Sequence, residues 1–321
     1  MDFKDFTAGR DDDSRRLDRI VKRILEKSPE INCHEIIRKK LVRLNQKKAS
    51  SDSKVHEGDV ISVAAFLLEK NSVESAGRKK NLARLPEIRT VFENEHVLVV
   101  YKPRGISVQP SSSGETSLCE IISGKNSGAE DSISFRSGPL HRIDRNTSGM
   151  VAFSRSLTGA KWFSEALQDK LIKKTYLGIS EGKLEKSVSW EDFISDGESI
   201  SGFYRVKVVQ DGDLGKKAVT HARPVAYGKK DGLDITLMEY RIDTGRKHQI
   251  RCQSAFHGHP LLGDNAYGGH GSTFYLHAAK LEFPEENPLG LPPILECPIP
   301  DDFKKIIDLN LIKSTGQLII F

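Results

Sequence analysis

Four cysteines in 321 residues, none of them in a C-x-x-C pair, leave little material for a disulfide framework or a zinc ribbon. No apolar run approaches the roughly 18 residues a membrane span needs, and no membrane association is expected. The opening stretch MDFKDFTAGRDDDSRR lacks the apolar core of a secretory signal. A reducing, cytoplasmic setting is therefore expected. Neither a Walker A loop nor a glycine fingerprint after a strand occurs, so no nucleotide or redox cofactor is expected. His257 and His259 look like a ligand pair, but no Cys or carboxylate accompanies them at ligand spacing. They read as part of an active-site wall, and no metal is expected. What is present is ordinary for a globular chain: 37% hydrophobic and 29% charged residues. At roughly 150 residues per domain the length suits about two domains.

Charge is unevenly placed. Between Ser14 and Lys54 thirteen Lys and Arg face five Asp and Glu, although the whole chain is only +5. Such a cluster is either an anchor for a polyanion, which gains by releasing condensed counterions, or a solvated lysine-rich face. Residues 1–13 are polar and acidic and read as a disordered tail. Leu17, Ile20, Val21, Ile24 and Leu25 then follow helical spacing, with Ser28 and Pro29 as the stop. Asn32 with Glu35 resembles a capping box for a second helix, whose apolar face is Ile36, Ile37 and Leu41 and whose exposed face carries Arg38, Lys39 and Lys40. VRLNQKK and VHEGDVISV follow as short strands around a turn. Residues 69–85 lack periodicity and read as a linker.

After Pro86 the texture becomes strand-rich. Strands are expected at His96–Tyr101, Thr175–Ile179, Tyr204–Val209, Ala218–Ala226 and Leu233–Ile242, with a helix at Leu157–Asp169 and a mobile, Ser- and Gly-rich loop over 111–137. The densest polar stretch is HRIDRNTSG (141–149), where Asp144 stands between Arg142 and Arg145 ahead of apolar MVAF. Neighbouring guanidinium groups favour an ionised acid, and an ionised carboxylate kept from bulk water can act as a covalent nucleophile. The alternative is a loop stapled by Asp–Arg pairs. A second constellation, TGRKHQIR (244–251), is a tight turn feeding a helix with Arg246, His248, Gln249 and Arg251. An arginine there suits either a distant carboxylate or a phosphate. The third is KTY (174–176), a tyrosine opening a strand.

These three segments, in this order, resemble the RluA/RluC/RluD family of pseudouridine synthases, as do HGHPLLGDNAYGG (257–269), VVYKPRGISVQP (99–110), GKKAVTHARPV (215–225) and LHAAKLEF (276–283). The first segment resembles an S4 RNA-binding module through Arg16–Asp18, Ile37–Lys40, Val42–Asn45 and Val55–Val63, with Gln46 where that pattern commonly has glycine. The resemblance implies an α+β fold: a small αβ S4-like domain over 14–68, and over 86–321 a catalytic domain built on a mixed, mainly antiparallel sheet. It implies a cofactor-free isomerase that converts uridine to pseudouridine, with RNA as partner and large-subunit (23S) ribosomal RNA as the expected substrate. Asp144 would be the catalytic aspartate, Tyr176 would stack on the uracil and take part in proton transfer at C5, and Arg251 would pair with Asp144. Arg142, His141, Arg246, His248 and Gln249 would hold the substrate. Arg16, Arg38, Lys39, Lys40, Arg43 and Lys47 would hold RNA from the S4-like domain. A monomer is expected.

Three other readings compete. A tRNA substrate keeps the same chemistry. A catalytically silent RNA-binding or assembly factor predicts loss of Asp144, Tyr176 or Arg251, and all three are present. A glycoside-type hydrolase needs a second carboxylate, for which Asp243 and Asp264 are the candidates in sequence.

Overall fold

The computed structural model describes residues 1–26, 28, 30–69, 86–111, 114–125, 132–200, 203–210 and 212–312. In chain order its elements begin with β1 (Phe3–Thr7), β2 (Arg15–Arg16), α1 (Leu17–Ile24), α2 (Cys33–Arg38), β3 (Val42–Leu44), β4 (Lys54–Val55), β5 (Val60–Ala64) and α3 (Phe66–Glu69). Then come β6 (Thr90–Glu93), β7 (Val97–Lys102), α4 (Leu118–Lys125), β8 (Ser148–Ser154), α5 (Leu157–Gln168), β9 (Lys173–Glu181), β10 (Val188–Ile194), β11 (Glu198–Ile200), β12 (Phe203–Arg205) and β13 (Val208–Val209). The last are β14 (Lys216–Lys230), β15 (Leu233–Ile242), α6 (Gln249–Phe256), β16 (Leu276–Glu282), β17 (Ile294–Glu296), α7 (Asp301–Asn310) and β18 (Leu311–Ile312). The expected linker, apart from Glu69, lies outside the described residues.

Two compact units result. The first comprises Met1–Glu87, Ile121–Gly138 and Ser154–Ala160. Its helices close on a sheet of order β1-β5-β3 around Leu17, Ile20, Val21, Ile37, Val42, Ile61 and Val63. Asn32 caps α2, accepting from the backbone N–H of His34 and Glu35. The amino terminus departs from the expected tail: Phe3–Thr7 pairs with β5, and the Arg43 guanidinium lies 4.2 Å from the Phe3 ring centre. Asp12, fully buried, explains why the stretch is ordered. Its carboxylate accepts from Ser132 Oγ at 2.8 Å, from the backbone N–H of Ile133 at 2.7 Å and of Ser134 at 3.0 Å, and from Ser134 Oγ. Burial alone would raise its pKa, but these bonds outweigh it and hold the acid below its usual range. Part of the expected mobile loop is thereby fixed, and Leu118–Lys125 of the same stretch is helical.

The second unit carries the large sheet. Among the described residues it has eleven strands, with the path β13-β10-β14-β15-β9-β16-β8-β7-β6 and β17 and β18 beside it. Pairing is antiparallel from β13 through β16 and again between β6 and β7, whereas β8 runs parallel to β16. The expected strand Tyr204–Val209 is broken into β12, which pairs with β11, and β13. Gly149, at the start of β8, shows why the polar loop ends in glycine. Its φ is +118°, and a Cβ there would lie 2.3 Å from the carbonyl oxygen of Ala278. No side chain fits between β8 and β16 at that point.

Candidate active site

Asp144 sits in the loop that leads from α4 into β8, and the backbone around it is held on several sides. Thr147 N–H donates to the Asp144 carbonyl at 3.1 Å, and Leu140 N–H to the Ala152 carbonyl at 2.8 Å. The wholly buried Lys102, at the end of β7, donates from Nζ to the carbonyls of Pro103, Ile106 and Arg145, each at 2.9 Å. Burial pulls this ammonium down to about 7, while the charge of Asp144 acts to raise it. Gly105 N–H also donates to the Arg145 carbonyl, at 2.9 Å. The KPRG turn thus clamps the residue that follows Asp144, a role the sequence reading did not give Lys102. On the other side Ser148 Oγ meets His277 Nδ1 at 2.9 Å, and His277 Nε2 faces the Cys297 carbonyl at 3.0 Å. Since only a protonated nitrogen bonds a carbonyl, Nε2 is the donor and Nδ1 accepts from the serine.

The carboxylate faces a cavity of about 360 Å³ that Tyr176, Lys174, Leu276, His248 and Arg251 also line. Arg251 Nη1 lies 3.7 Å from Asp144 Oδ2. Its firmer partner is Asp264: Nε donates to Oδ2 at 2.7 Å and Nη2 to Oδ1 at 2.8 Å. Burial works against the arginine charge, and Asp264 with Asp144 behind it more than restores it. Phe274 and Tyr267 sit 4.5 Å and 5.0 Å from the guanidinium carbon, so the group has little freedom left. The expected Arg251–Asp144 pair is therefore the looser half of a chain that runs Asp264, Arg251, Asp144. Asp264, weighed in sequence only as a hydrolase's second carboxylate, is the anchor of that arginine.

His248 completes the surround. It is held at φ +53°, a left-handed conformation that costs a non-glycine residue about 1 kcal/mol or more. Val206 N–H donates to the Tyr267 hydroxyl at 3.0 Å, and that hydroxyl lies 2.9 Å from His248 Nδ1. The other ring nitrogen, Nε2, lies 4.0 Å from Asp144 Oδ2. Burial, and then the charges of Arg251 and Lys247, push His248 down to about 4, with Asp144 opposing. A neutral imidazole thus borders the carboxylate. Tyr176 is buried on β9, and burial, with the charge of Asp144, raises its phenol well above the ordinary value. At neutral pH it is a ring face and a hydrogen donor, not a base.

The remaining expected site residues divide. Arg142 and Arg246 are exposed and line the cavity, Arg246 also donating from Nε to the Lys217 carbonyl at 3.0 Å. Arg145 pairs with Glu115 at 2.8 Å. His141 does not line the cavity. It stacks on Phe163 at 6.2 Å, accepts the Ala152 N–H at Nε2, and burial, with Lys174 nearby, pulls it down to about 3. Gln249 borders the cavity, but its amide is committed elsewhere, to Thr244, Arg246, Val219 and Thr220. It pins the TGR turn to β14. His257 stacks on Trp190 at 5.0 Å and meets Asp192 at 3.0 Å, while His259 faces the Glu181 carbonyl, so neither forms the wall of this cavity. In the first unit Arg16, Arg38, Lys39, Lys40, Arg43 and Lys47 are all exposed.

Comparison with known proteins agrees with this architecture. A family model described as RNA pseudouridylate synthase matches residues 96–256. An uncharacterized RNA pseudouridine synthase of Bacillus subtilis (strain 168), YhcT, is 31% identical over 273 residues, covering 83% of each chain. The ribosomal large subunit pseudouridine synthase C of Vibrio vulnificus (strain CMCP6) is 26% identical over 308 residues, 91% of this chain and 92% of that protein. Among solved structures, human RNA Pseudouridylate Synthase Domain Containing 1 shares the fold with a TM-score of 0.57 at 19% identity, over 72% of this chain and 91% of that one. An α+β unit with a mixed sheet and an aspartate-bearing loop is thus of the pseudouridine synthase class. The chain belongs to the RluA-type RNA pseudouridine synthases, which are isomerases.

Proposed function

We propose that this chain isomerises uridines of large-subunit ribosomal RNA, with Asp144 as the catalytic carboxylate, Tyr176 as the stacking face and Arg251 as the group that aims Asp144. The observation that carries this reading is one cavity holding all three, rimmed by Arg142, Lys216, Arg246 and Lys247. A target uridine must leave its stack at a cost of a few kcal/mol. A tyrosine face returns about 1–3 kcal/mol of it, and the cationic rim suits the phosphates on either side. Once the base is in the cavity, the N1–C1′ bond breaks, the uracil turns, and C5 joins C1′. The carboxylate is suited to hold the sugar meanwhile, either as an ester at C1′ or by assisting a glycal.

The basic first unit is the RNA anchor, an S4-like module whose six exposed cations supply sequence-independent affinity. The ribosomal substrate is supported by relatives named as large-subunit synthases. All four cysteines are free, which suits a reducing, cytoplasmic setting. Pseudouridine mapping of total RNA from cells with and without the gene tests substrate and reaction together. Loss at one or a few large-subunit sites is expected, and loss in tRNA alone overturns the substrate. With purified protein, Asp144→Ala should lower single-turnover pseudouridine formation at least about 10⁴-fold while RNA binding persists. Turnover near that of the unsubstituted enzyme would remove Asp144 from the chemistry.

A further inference from the structure

We propose that Lys174 is a further catalytic residue, whose ammonium neutralises the charge the uracil acquires as it parts from the sugar. The proposal rests on the reading of the Asp144 cavity given above.

Lys174 and Tyr176 stand two apart on β9, so their side chains leave the same face of the strand, and both line the cavity with Asp144. The other cations there are engaged or open to water. Arg251 is fixed by Asp264, Lys216 lies 3.9 Å from Asp196, Lys247 lies over the Tyr204 ring, Arg246 bonds the Lys217 carbonyl, and Arg142 is exposed. Lys174 is half-buried and, among the described residues, has neither a carboxylate within ion-pair distance nor a hydrogen-bond acceptor. A cation withdrawn from water without an anion is costly and gains by meeting one. Burial accordingly shifts Lys174 below the ordinary lysine value. The TGR turn passes close to the ammonium: a Cβ on Gly245, which also lines the cavity, would stand 3.6 Å from Lys174 Nζ.

The chemistry calls for such a group. When the N1–C1′ bond breaks, its electron pair stays on the uracil, and the negative charge spreads over N1, O2 and O4. Asp144, itself an anion, acts at the sugar and cannot stabilise that charge, and Arg251 is spent on carboxylates. On the ester route C5 then attacks C1′, the carboxylate leaves with its own electron pair, the C5 proton passes to water and N1 takes one up. Atoms and electrons balance without a further reactant. A cation already in place at the departing base acts where charge develops, and such groups typically contribute about 10²–10³-fold to rate.

The test compares two RNAs of one sequence, carrying uridine or 5-fluorouridine at the target, in single-turnover cleavage of the glycosidic bond. Fluorine makes the uracil a weaker base and a better leaving group, so it needs the lysine less. Lys174→Met should slow cleavage of the uridine RNA about 10²-fold or more, with Kd for RNA unchanged. The deficit on the 5-fluorouridine RNA should be several-fold smaller, and Lys174→Arg should recover part of the rate. Lys174→Gln serves if the methionine variant does not fold. An unchanged rate overturns the proposal. So does a loss confined to Kd, which makes Lys174 a phosphate contact, and so does an equal loss on both RNAs, which makes it structural. Asp144→Ala is run alongside: cleavage at the rate of the unsubstituted enzyme there would overturn the reading of the cavity, whatever Lys174 does.

Discussion

Lys39 and Arg251 each face a carboxylate at hydrogen-bond distance, yet the two pairs live under different physics. Lys39 Nζ lies 2.6 Å from Glu35, with the side chains 59% and 46% exposed. Arg251 Nε lies 2.7 Å from Asp264, with the side chains 9% and 2% exposed. Water and salt screen the first pair, so it holds its lysine only weakly. The second is largely buried, and its geometry is the point of it: Arg251 is fixed by Asp264 so that a third nitrogen faces Asp144 at 3.7 Å. The first unit thus offers charge without fixed geometry, which suits binding RNA by its backbone. The cavity offers fixed geometry, which suits chemistry at one atom.

The sharpest way to break this contrast is to neutralise one acid from each pair. Asp264→Asn strands a buried guanidinium and should cost about 3–5 kcal/mol in urea unfolding. It should also lower single-turnover rate about 10²-fold with RNA affinity kept, because Arg251 no longer holds its aim. Glu35→Gln should leave both the unfolding midpoint and the rate where they were. Equal effects from the two variants would dissolve the distinction.

Acid should find the second unit through its buried histidines. Burial holds His248 and His277 down to about 4 in the folded chain, against 6.5 when free. Between those values the unfolded chain binds the protons and the folded one does not, so stability is full above about pH 6.5 and is lost as pH falls toward 4. The loss from pH 7 to pH 5 should be about 1–2 kcal/mol for each histidine. Over pH 6–8 both stay neutral, so the catalytic rate should show no step of theirs. Urea titrations of the unsubstituted enzyme and of His277→Gln at both pH values check this: the variant should lose less on acidification.

For the first unit the equivalent lever is salt. Replacing Arg38, Lys39 and Arg43 by Gln removes three exposed cations. At about 0.7 per contact to single-stranded RNA, the slope of log affinity against log salt should become shallower by about 2. The rate at saturating RNA should not change. An unaltered slope would mean these cations are a solvated face.

How far the sequence could be read follows the same division. Local pattern reached α1, α5, β7, β9 and β15, because a period of 3.6 or 2 is written in adjacent residues. The motif residues Asp144, Tyr176 and Arg251 were legible and do share one cavity. What escaped depends on partners far apart in the chain. Asp12 is one of several acids in a polar stretch until Ser132 and Ser134, about 120 residues on, give it hydrogen bonds. Gln249 was expected from the resemblance to hold substrate, and only the fold reveals that Thr220 and Val219 occupy its amide. Asp264 carries no local sign that it fixes Arg251.

The smallest expected effect lies in the turn after β3, where this chain has Asn45 and Gln46 in place of the commoner Asn-Gly. Both residues adopt positive φ, 50° and 62°. Leu44 and Lys47 exchange backbone bonds of 3.0 Å and 2.9 Å across them, so the turn is a tight two-residue reversal. Asn45 stabilises it by donating Nδ2 to Asp59 at 2.8 Å and accepting the Val60 N–H at Oδ1. Gln46 has no such compensation and bears the left-handed cost of about 1–2 kcal/mol for an L-residue with a Cβ. Gln46→Gly removes that cost but gives the unfolded chain more freedom, worth about 0.4–1 kcal/mol in the other direction. The net gain should be about 0.5–1 kcal/mol in urea unfolding of the full chain, with catalytic rate and salt slope unchanged. A destabilised variant would mean that the Gln46 side chain supplies a contact in the first unit that glycine cannot.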